Sequence, residues 1–463
     1  MLDPALQQQY SEARKSRDRR FDGRFFVAVK TTGIFCRPVC PARLPDEKNV
    51  DYYHYAQQAS EHGYRPCLRC RPDSAPGSFA WRGVSTTTQR AMRLLSEALD
   101  QTVQAIAERL GISERYLGQL INREVGMSPK RFQLHSRLLL AKRLLQQTSM
   151  PVEDVALASG FQSSRSLQSH LKKDFALTAG DIRKADGRQA MASELTLFMP
   201  VRLPYNWPQI RDFLQLRALA DIESVDEHSY SRAFNIDNEP GFVCATFDEQ
   251  QGGFQIKAQL TRPQHLQPLL STLRRVLDMD TDPHSVAQAL SNAGVTPELQ
   301  TTGVRLPGVW SVFEAGCRAI IGQQISIKAA ITQLQRLSDE LGEKQPYGHT
   351  FPTPQRVASS SLDMLKMPGA RKQAIRDFAA LVAANPGQEI SDSDILAIKG
   401  IGPWTLQYIK LRGSSEPDIY LEKDLIVARQ AQRFAIKASL GAPWRSYLTI
   451  QLWLVANQLS GET

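Results

Sequence analysis

Leu396-Ala397-Ile398-Lys399-Gly400-Ile401-Gly402-Pro403-Trp404-Thr405 is the run that decides how the C-terminal half of this chain folds. It has the outline of a helix-hairpin-helix, with a turn carrying Gly400 and Gly402 and a second helix predicted over Trp404–Lys410. Glycine lets such a turn approach a phosphate closely, and the backbone N–H groups then point at it. A Gly-x-Gly alone is weak evidence. Here an acidic cluster follows, Asp418-Ile419-Tyr420-Leu421-Glu422-Lys423-Asp424-Leu425. Outward from the hairpin, residues 303–460 read as helices with Gly/Pro breaks, including Val312–Ala330 and Lys372–Ala384. Residues 193–302 change character. Strands at Glu194–Leu203, Phe242–Phe247 and Phe254–Leu260, with a helix at Trp207–Leu219, give an α+β pattern.

At the other end, four of the six cysteines sit close together: Cys36-x3-Cys40 and Cys67-x2-Cys70, with 26 residues between the pairs. Two thiol pairs joined by a loop make a four-sulfur site of the geometry and softness zinc prefers. Spacing alone leaves a purely structural zinc knuckle open beside a reactive thiolate. Cys244 and Cys317 lie apart and read as small buried hydrophobes. Residues 1–76 thus form a small mixed domain around the metal, closed by a Pro/Ser/Gly-rich linker at 72–83.

The net charge of +9 is uneven: residues 1–190 hold 30 Lys+Arg against 19 Asp+Glu, a net of +11, and the remainder nets −2. A basic front half suits a polyanion, DNA before membrane. No run approaches the roughly 18 apolar residues of a membrane span. The N-terminus lacks a signal pattern. A cytoplasmic protein, held near the nucleoid by DNA binding, is expected, where thiols stay reduced and bind metal rather than pair.

Residues 84–186 read as helices in two units of one plan. Val103–Phe132 turns at Gly111-Ile112-Ser113, and Val152–Ile182 turns at Gly160-Phe161-Gln162-Ser163-Ser164, with Ser113 and Ser163 as N-caps. A longer helix through Leu138–Leu145 joins them. The expected fold class is a multidomain α+β chain: a small zinc domain at 1–76, an all-α double helix-turn-helix domain at 84–186, an α+β domain at 193–302, and an all-α helix-hairpin-helix domain at 303–460.

Three family resemblances sharpen this. Gly33-Ile34-Phe35-Cys36-Arg37-Pro38-Val39-Cys40-Pro41-Ala42-Arg43 and Gly63-Tyr64-Arg65-Pro66-Cys67-Leu68-Arg69-Cys70 resemble the N-terminal domain of Ada-family methylation-response regulators. The resemblance implies one zinc ion on Cys36, Cys40, Cys67 and Cys70, with Cys36 accepting a methyl group from an alkylated DNA phosphate. Arg37, Arg43, Arg65, Arg69 and Arg71 become candidate phosphate contacts. The physical reading agrees, since a zinc-held thiolate is nucleophilic at neutral pH. Residues 86–185 resemble the AraC/XylS DNA-binding domain, carried by Val155-Ala156-Leu157-Ala158-Ser159-Gly160-Phe161-Gln162-Ser163. Its recognition helices fall near Glu114–Arg123 and Ser164–Asp174. Arg115, Tyr116, Gln119, Arg165, Gln168, Ser169 and His170 could reach base edges, and Lys172 and Lys173 phosphate.

Residues 193–460 resemble the helix-hairpin-helix DNA glycosylases, most closely 3-methyladenine DNA glycosylase II. Besides the hairpin, Tyr205-Asn206-Trp207, Ala319-Ile320-Ile321-Gly322-Gln323-Gln324-Ile325-Ser326 and Pro443-Trp444-Arg445-Ser446-Tyr447 carry the likeness. It implies Asp424 as the catalytic carboxylate, stabilising oxocarbenium character on the sugar or orienting water. Trp404, Tyr408, Trp453 and Phe213 are the expected base-pocket aromatics, suited to a cationic alkylated purine. Asp418 and Glu422 are expected to be solvated loop acids. Gln323, Gln324, Gly400 and Gly402 are expected at the DNA. Gln324 stands where the related enzyme inserts a leucine into the gap left by the flipped base. A monovalent cation at the hairpin is a further expectation.

Where strand-cleaving relatives have a lysine nucleophile this chain has Trp404, which implies a monofunctional N-glycosidase. No cysteine follows Cys317, so no C-terminal iron–sulfur cluster is expected. The Pro-Cys-His-Arg motif of the O6-methylguanine methyltransferase domain does not occur. The expected function is repair of alkylated bases such as 3-methyladenine, combined with methyl-phosphotriester sensing and transcriptional activation. Its partners are alkylated and operator duplex DNA and RNA polymerase, with no membrane and no small-molecule cofactor. The alternative is a transcription regulator with a catalytically inactive glycosylase-like domain.

Overall fold

The computed structural model describes the chain except residues 1–3, 19–20, 68, 71, 73–85, 100, 185–194, 388–389 and 462–463. Most of the expected linker, and Arg71, lie outside the described residues. Two compact units emerge. One takes in residues up to Leu203 together with Asp248–Ser271, and the other takes in Pro204–Phe247 and residues from Thr272 onward. The division falls inside 193–302.

In the first unit, strands β1 (Phe26–Val29), β2 (Ile34–Cys36), β3 (Val50–Tyr53) and β4 (Arg65–Pro66) form a sheet of order β3-β1-β2-β4. β1 is antiparallel to β2 and β3, and β2 runs parallel to β4. The helix Pro4–Lys15 lays Tyr10 and Ala13 against Phe25, Val27, Val50 and Tyr52. Tyr10 stacks on Phe25 at 4.0 Å between ring centres.

The two helix-turn-helix units follow as predicted. The first pairs Val103–Arg109 with Glu114–Val125, and the second pairs Val152–Ala158 with Ser164–Phe175. Ser113 and Ser163 do cap their helices, accepting hydrogen bonds from the N–H groups of Tyr116 and Ser166. Gly160 has φ +81°, and a Cβ there would come within 2.8 Å of the Leu99 carbonyl oxygen, so both backbone and space require glycine. The joining helix, Pro129–Gln147, buries Leu138, Leu139, Leu140, Leu144 and Leu145. It carries little amphipathic pattern because neighbours cover it nearly all round.

In the second unit, strands Glu223–Val225 and Ser229–Ile236 are additions to the expected set. Ser229–Ile236 pairs antiparallel with Glu239–Asp248 across a two-residue turn, Asp237-Asn238, whose φ angles of 52° and 62° suit a tight hairpin. The helix predicted over Val312–Ala330 is two helices, Val312–Ile321 and Ile327–Leu341. The chain breaks at Gly322–Ser326, where Gln324 adopts φ +60° and Ser326 caps the second helix through the Ala329 N–H. Gly322 closes the first helix and Ser326 opens the second, so the break carries local stop and start residues that a continuous helix over Val312–Ala330 passes over. Val312–Ile321 sits centrally, and Gly316 leaves room for Phe378, whose ring a Cβ would overlap at 2.0 Å. The hairpin pairs Asp392–Leu396 with Pro403–Gly413. Gly400 has φ +98°, whereas a Cβ on Gly402 would meet nothing within 4 Å, so that side of the turn is open. Among the described residues, no helix is long and apolar enough to cross a membrane.

Candidate metal centre and catalytic cavity

The parallel pairing of β2 with β4 brings the cysteine pairs together. Ile34 lies opposite Arg65 and Phe35 opposite Pro66, so Cys36 and Cys67 leave adjacent strands side by side. The Cys67 N–H donates to the Phe35 carbonyl at 2.9 Å. The sulfurs of Cys36, Cys40, Cys67 and Cys70 all lie within 4.8 Å of one another. A tetrahedral four-sulfur zinc site needs edges of about 3.8 Å, so the donor set fits a metal ion. The sulfurs pull one another in opposite directions. Cys40 is drawn down to about 7, foremost by its contact with Cys36, while Cys36 is pushed up, foremost by Cys40. Cys36 is half-buried and the other three are buried.

Arg37 has a structural partner within the domain. Its guanidinium is held by the Asp22 carboxylate, with Nε donating to Oδ1 at 2.8 Å, and its backbone N–H donates to Cys70 Sγ at 3.3 Å. Held in this way, it braces the cysteine loop. Arg43 and Arg69 are exposed and Arg65 is half-buried. On the helices, Arg115, Tyr116, Gln119, Arg165, Gln168 and Ser169 are exposed as expected of base-reading positions, as are Lys172 and Lys173. His170 is turned to protein. Its Nδ1 lies 3.4 Å from Asp174 and its ring packs on Phe161.

In the second unit, Asp424 is the N-cap of the helix Leu425–Arg433. Its Oδ1 accepts from the Ile426 and Val427 N–H groups, each at 3.1 Å, and from Trp453 Nε1 at 3.2 Å. Among the described residues Oδ2 receives no hydrogen bond, so one oxygen is anchored while the other can meet substrate. Asp424 lines a cavity of about 650 Å³ with Trp404, Tyr408, Trp453 and Phe213. Trp404 stacks on Tyr408 at 5.4 Å, and Tyr408 meets Trp453 at 6.4 Å and 44°. Distant segments thus bring the expected carboxylate and aromatics to one cavity.

Phe213 reaches that cavity in a different setting from the other aromatics. The Arg217 and Arg412 guanidiniums lie over its ring at 3.7 and 4.3 Å, so its face is engaged by cations of the protein. Burial pulls Arg412 down to about 10. Burial would raise the Tyr408 hydroxyl, but Arg412, Arg217 and Arg318 outweigh it and hold its pKa below the ordinary value. Sequence reasoning also missed a closed square of buried charges on the cavity wall. Arg232 meets Glu314 at 2.6 Å and Glu223 at 3.1 Å, while Arg318 meets Glu314 at 2.7 Å and Glu223 at 2.8 Å. Its members come from separate segments, and no local pattern marks them.

Gln323 faces inward, donating from Nε2 to the Gly400 carbonyl and to Thr405 Oγ1, both at 3.0 Å. It ties the hairpin turn to the break at Gly322–Ser326. Gln324 is exposed. Asp418 is a partly exposed loop acid that is ion-paired: Arg445 binds it bidentately at 2.7 and 2.8 Å. Glu422 is exposed, as expected.

Comparison with known proteins matches this layout. Residues 9–73 match the metal binding domain of Ada, 106–185 a helix-turn-helix domain, and 196–311 the AlkA N-terminal domain. A protein of Mycobacterium tuberculosis, named a probable bifunctional transcriptional activator/DNA repair enzyme AlkA, is 33% identical over 95% of this chain and 94% of its own length. DNA-3-methyladenine glycosylase 2 of Escherichia coli is 30% identical over 54% of this chain and 94% of its own. The Ada activator/repair enzyme of E. coli is 35% identical over 36% of this chain and 46% of its own. Fold and sites therefore define a DNA-handling protein that joins a metal-binding regulator to a repair domain. The chain belongs to the family of bifunctional transcriptional activator/DNA repair enzymes of the AlkA type.

Proposed function

We propose that this protein removes alkylated bases such as 3-methyladenine from duplex DNA by N-glycosidic hydrolysis, and that it senses methyl phosphotriesters through Cys36. The observation that carries the repair reading is Asp424, held by three donors on one oxygen at a cavity lined by Trp404, Tyr408 and Trp453. A base alkylated on a ring nitrogen is cationic and leaves readily. The protein then needs to extract it, hold it on aromatic faces, and stabilise the positive charge that grows on the sugar. The Asp424 carboxylate supplies that stabilisation or orients the attacking water.

In the first unit the four sulfurs would hold zinc, which when bound keeps them as thiolates. Cys36 is the most accessible of the four. Its sulfur attacks the methyl carbon of a neutral phosphotriester; the S–C bond forms, the C–O bond breaks, and an ordinary phosphodiester anion leaves. The four-thiolate site then loses one negative charge, and DNA affinity rises accordingly. That change would pass to the exposed reading faces around Arg115, Gln119 and Arg165, and RNA polymerase would be the partner of an activator docked there. Two readouts on the full chain test the proposal: release of free base from methylated duplex, and mass spectrometry of the Cys36 peptide after exposure to the same DNA. Base release without a 14-dalton gain on Cys36 (about one CH₂, the methyl-for-hydrogen exchange of a thiol becoming a thioether) would overturn the sensing half alone.

A further inference from the structure

Apolar side chains stand exposed at the start of two helices that border the cavity. Leu425 is 83% exposed, Ile426 46%, Ile327 41% and Ile325 39%. Ile325, Ile327 and Ile426 line the cavity that holds Asp424, whereas Leu425 lies outside that lining. Leu425 is the most exposed large hydrophobic side chain among the described residues. Its backbone is nonetheless well fixed. It opens the helix Leu425–Arg433 immediately after Asp424, whose carboxylate caps that helix and is itself held by Trp453. A rigid, water-facing leucine one residue from the reacting carboxylate is placed for a surface that arrives only with substrate.

The second helix start has a different chemistry at its tip. Gln324 stands exposed there in a left-handed conformation, φ +60°. Its amide can hydrogen-bond to the base left without a partner, but it cannot supply the apolar surface that keeps an opened base step from closing. Leu425 can. Because the apolar rim is continuous with the cavity, a duplex that delivers one base to Asp424 must lay its neighbouring steps on that rim.

We propose that Leu425 is the apolar wedge of this enzyme, packing from the minor groove against the base step beside the flipped nucleotide, with Gln324 addressing the orphan base. This rests on the glycosylase reading of the second unit. The test compares wild-type full chain with Leu425→Ala and Leu425→Met. The readout is the affinity for a duplex carrying a tetrahydrofuran abasic analogue, divided by the affinity for the same duplex undamaged. Losing the wedge should lower that ratio about tenfold, as expected for one buried leucine, while methionine stays within about twofold. An unchanged ratio in Leu425→Ala, an equal fall in Leu425→Met, or no abasic preference in the wild type would overturn the proposal. Base release measured on the same wild-type protein separates the two readings: release with an unchanged ratio in Leu425→Ala defeats the wedge alone, whereas no release defeats the glycosylase assignment on which the wedge rests.

Discussion

The metal centre and the catalytic cavity are built over very different ranges of sequence. Four cysteines within residues 36–70 meet because two short strands pair, so their spacing already contains the site. The cavity draws its wall from Gln209 to Gln458, and the Asp424 carboxylate in it is held by a tryptophan 29 residues further along the chain. The local site depends on a few donors whose loss removes it altogether. The dispersed site depends on the fold, and single changes should damage it in degrees.

The sharpest way to break that contrast is Cys67→Ser. It should abolish stoichiometric metal binding by the full chain and unfold the region around residues 26–70, since a structural zinc ion is worth about 10 kcal/mol or more to such a domain. Base release by the second unit should persist. Metal analysis with limited proteolysis checks the first expectation, and loss of base release alongside the metal would contradict the independence of the two sites. Next in size is Glu314→Gln. It leaves Arg232 and Arg318 sharing one carboxylate in a buried setting and should cost about 3 kcal/mol of second-unit stability, read by chemical denaturation. A change below about 0.5 kcal/mol would show that the square is not a structural element.

A smaller effect is expected from Trp453→Phe, which keeps an aromatic wall and removes one donor from Asp424 Oδ1. Loss of a hydrogen bond to a charged group, worth about 1.5–3 kcal/mol, should slow single-turnover base release about 10- to 100-fold with little change in DNA affinity. The smallest effect concerns the first unit and pH. His135 is buried, and burial, with Arg131 nearby, lowers its pKa against the opposing pull of Glu61 and Asp174. The unfolded chain therefore takes up the proton first. The stability His135 contributes is present above about pH 6.5 and is lost as pH falls through its lowered folded value. His135→Gln should flatten the pH dependence of first-unit stability below pH 6.5, and an unchanged slope would assign that dependence elsewhere.

How far the sequence reaches follows the same division. The two helix-turn-helix units, with Ser113 and Ser163 as caps, could be read from residue types because caps and turns are local chemistry. The cysteine cluster was legible for the same reason. Asp424, Trp404, Tyr408 and Trp453 could be placed in one cavity only through resemblance, since no spacing rule joins a hairpin helix to the last helix of the chain. The break at Gly322–Ser326 was missed although Gly322 and Ser326 are local stop and start residues, because the apolar periodicity runs on through Ile325 and Ile327 and outweighs them. Arg37 and Gln323 show a further limit: the intramolecular partners they meet, Asp22 and the Gly400 carbonyl, could not be read from the motif that holds them.

The most direct measurement is base release from duplex DNA treated with a methylating agent, comparing the full chain with Asp424→Asn. The asparagine keeps an oxygen for the helix-capping N–H groups and for Trp453, so the fold should survive while the negative charge is lost. Release of 3-methyladenine by the wild type, reduced at least about a hundredfold in the variant, is the predicted result. Equal release by both proteins would remove Asp424 from the chemistry, and no release by folded, DNA-binding wild type would contradict the enzymatic reading of the second unit.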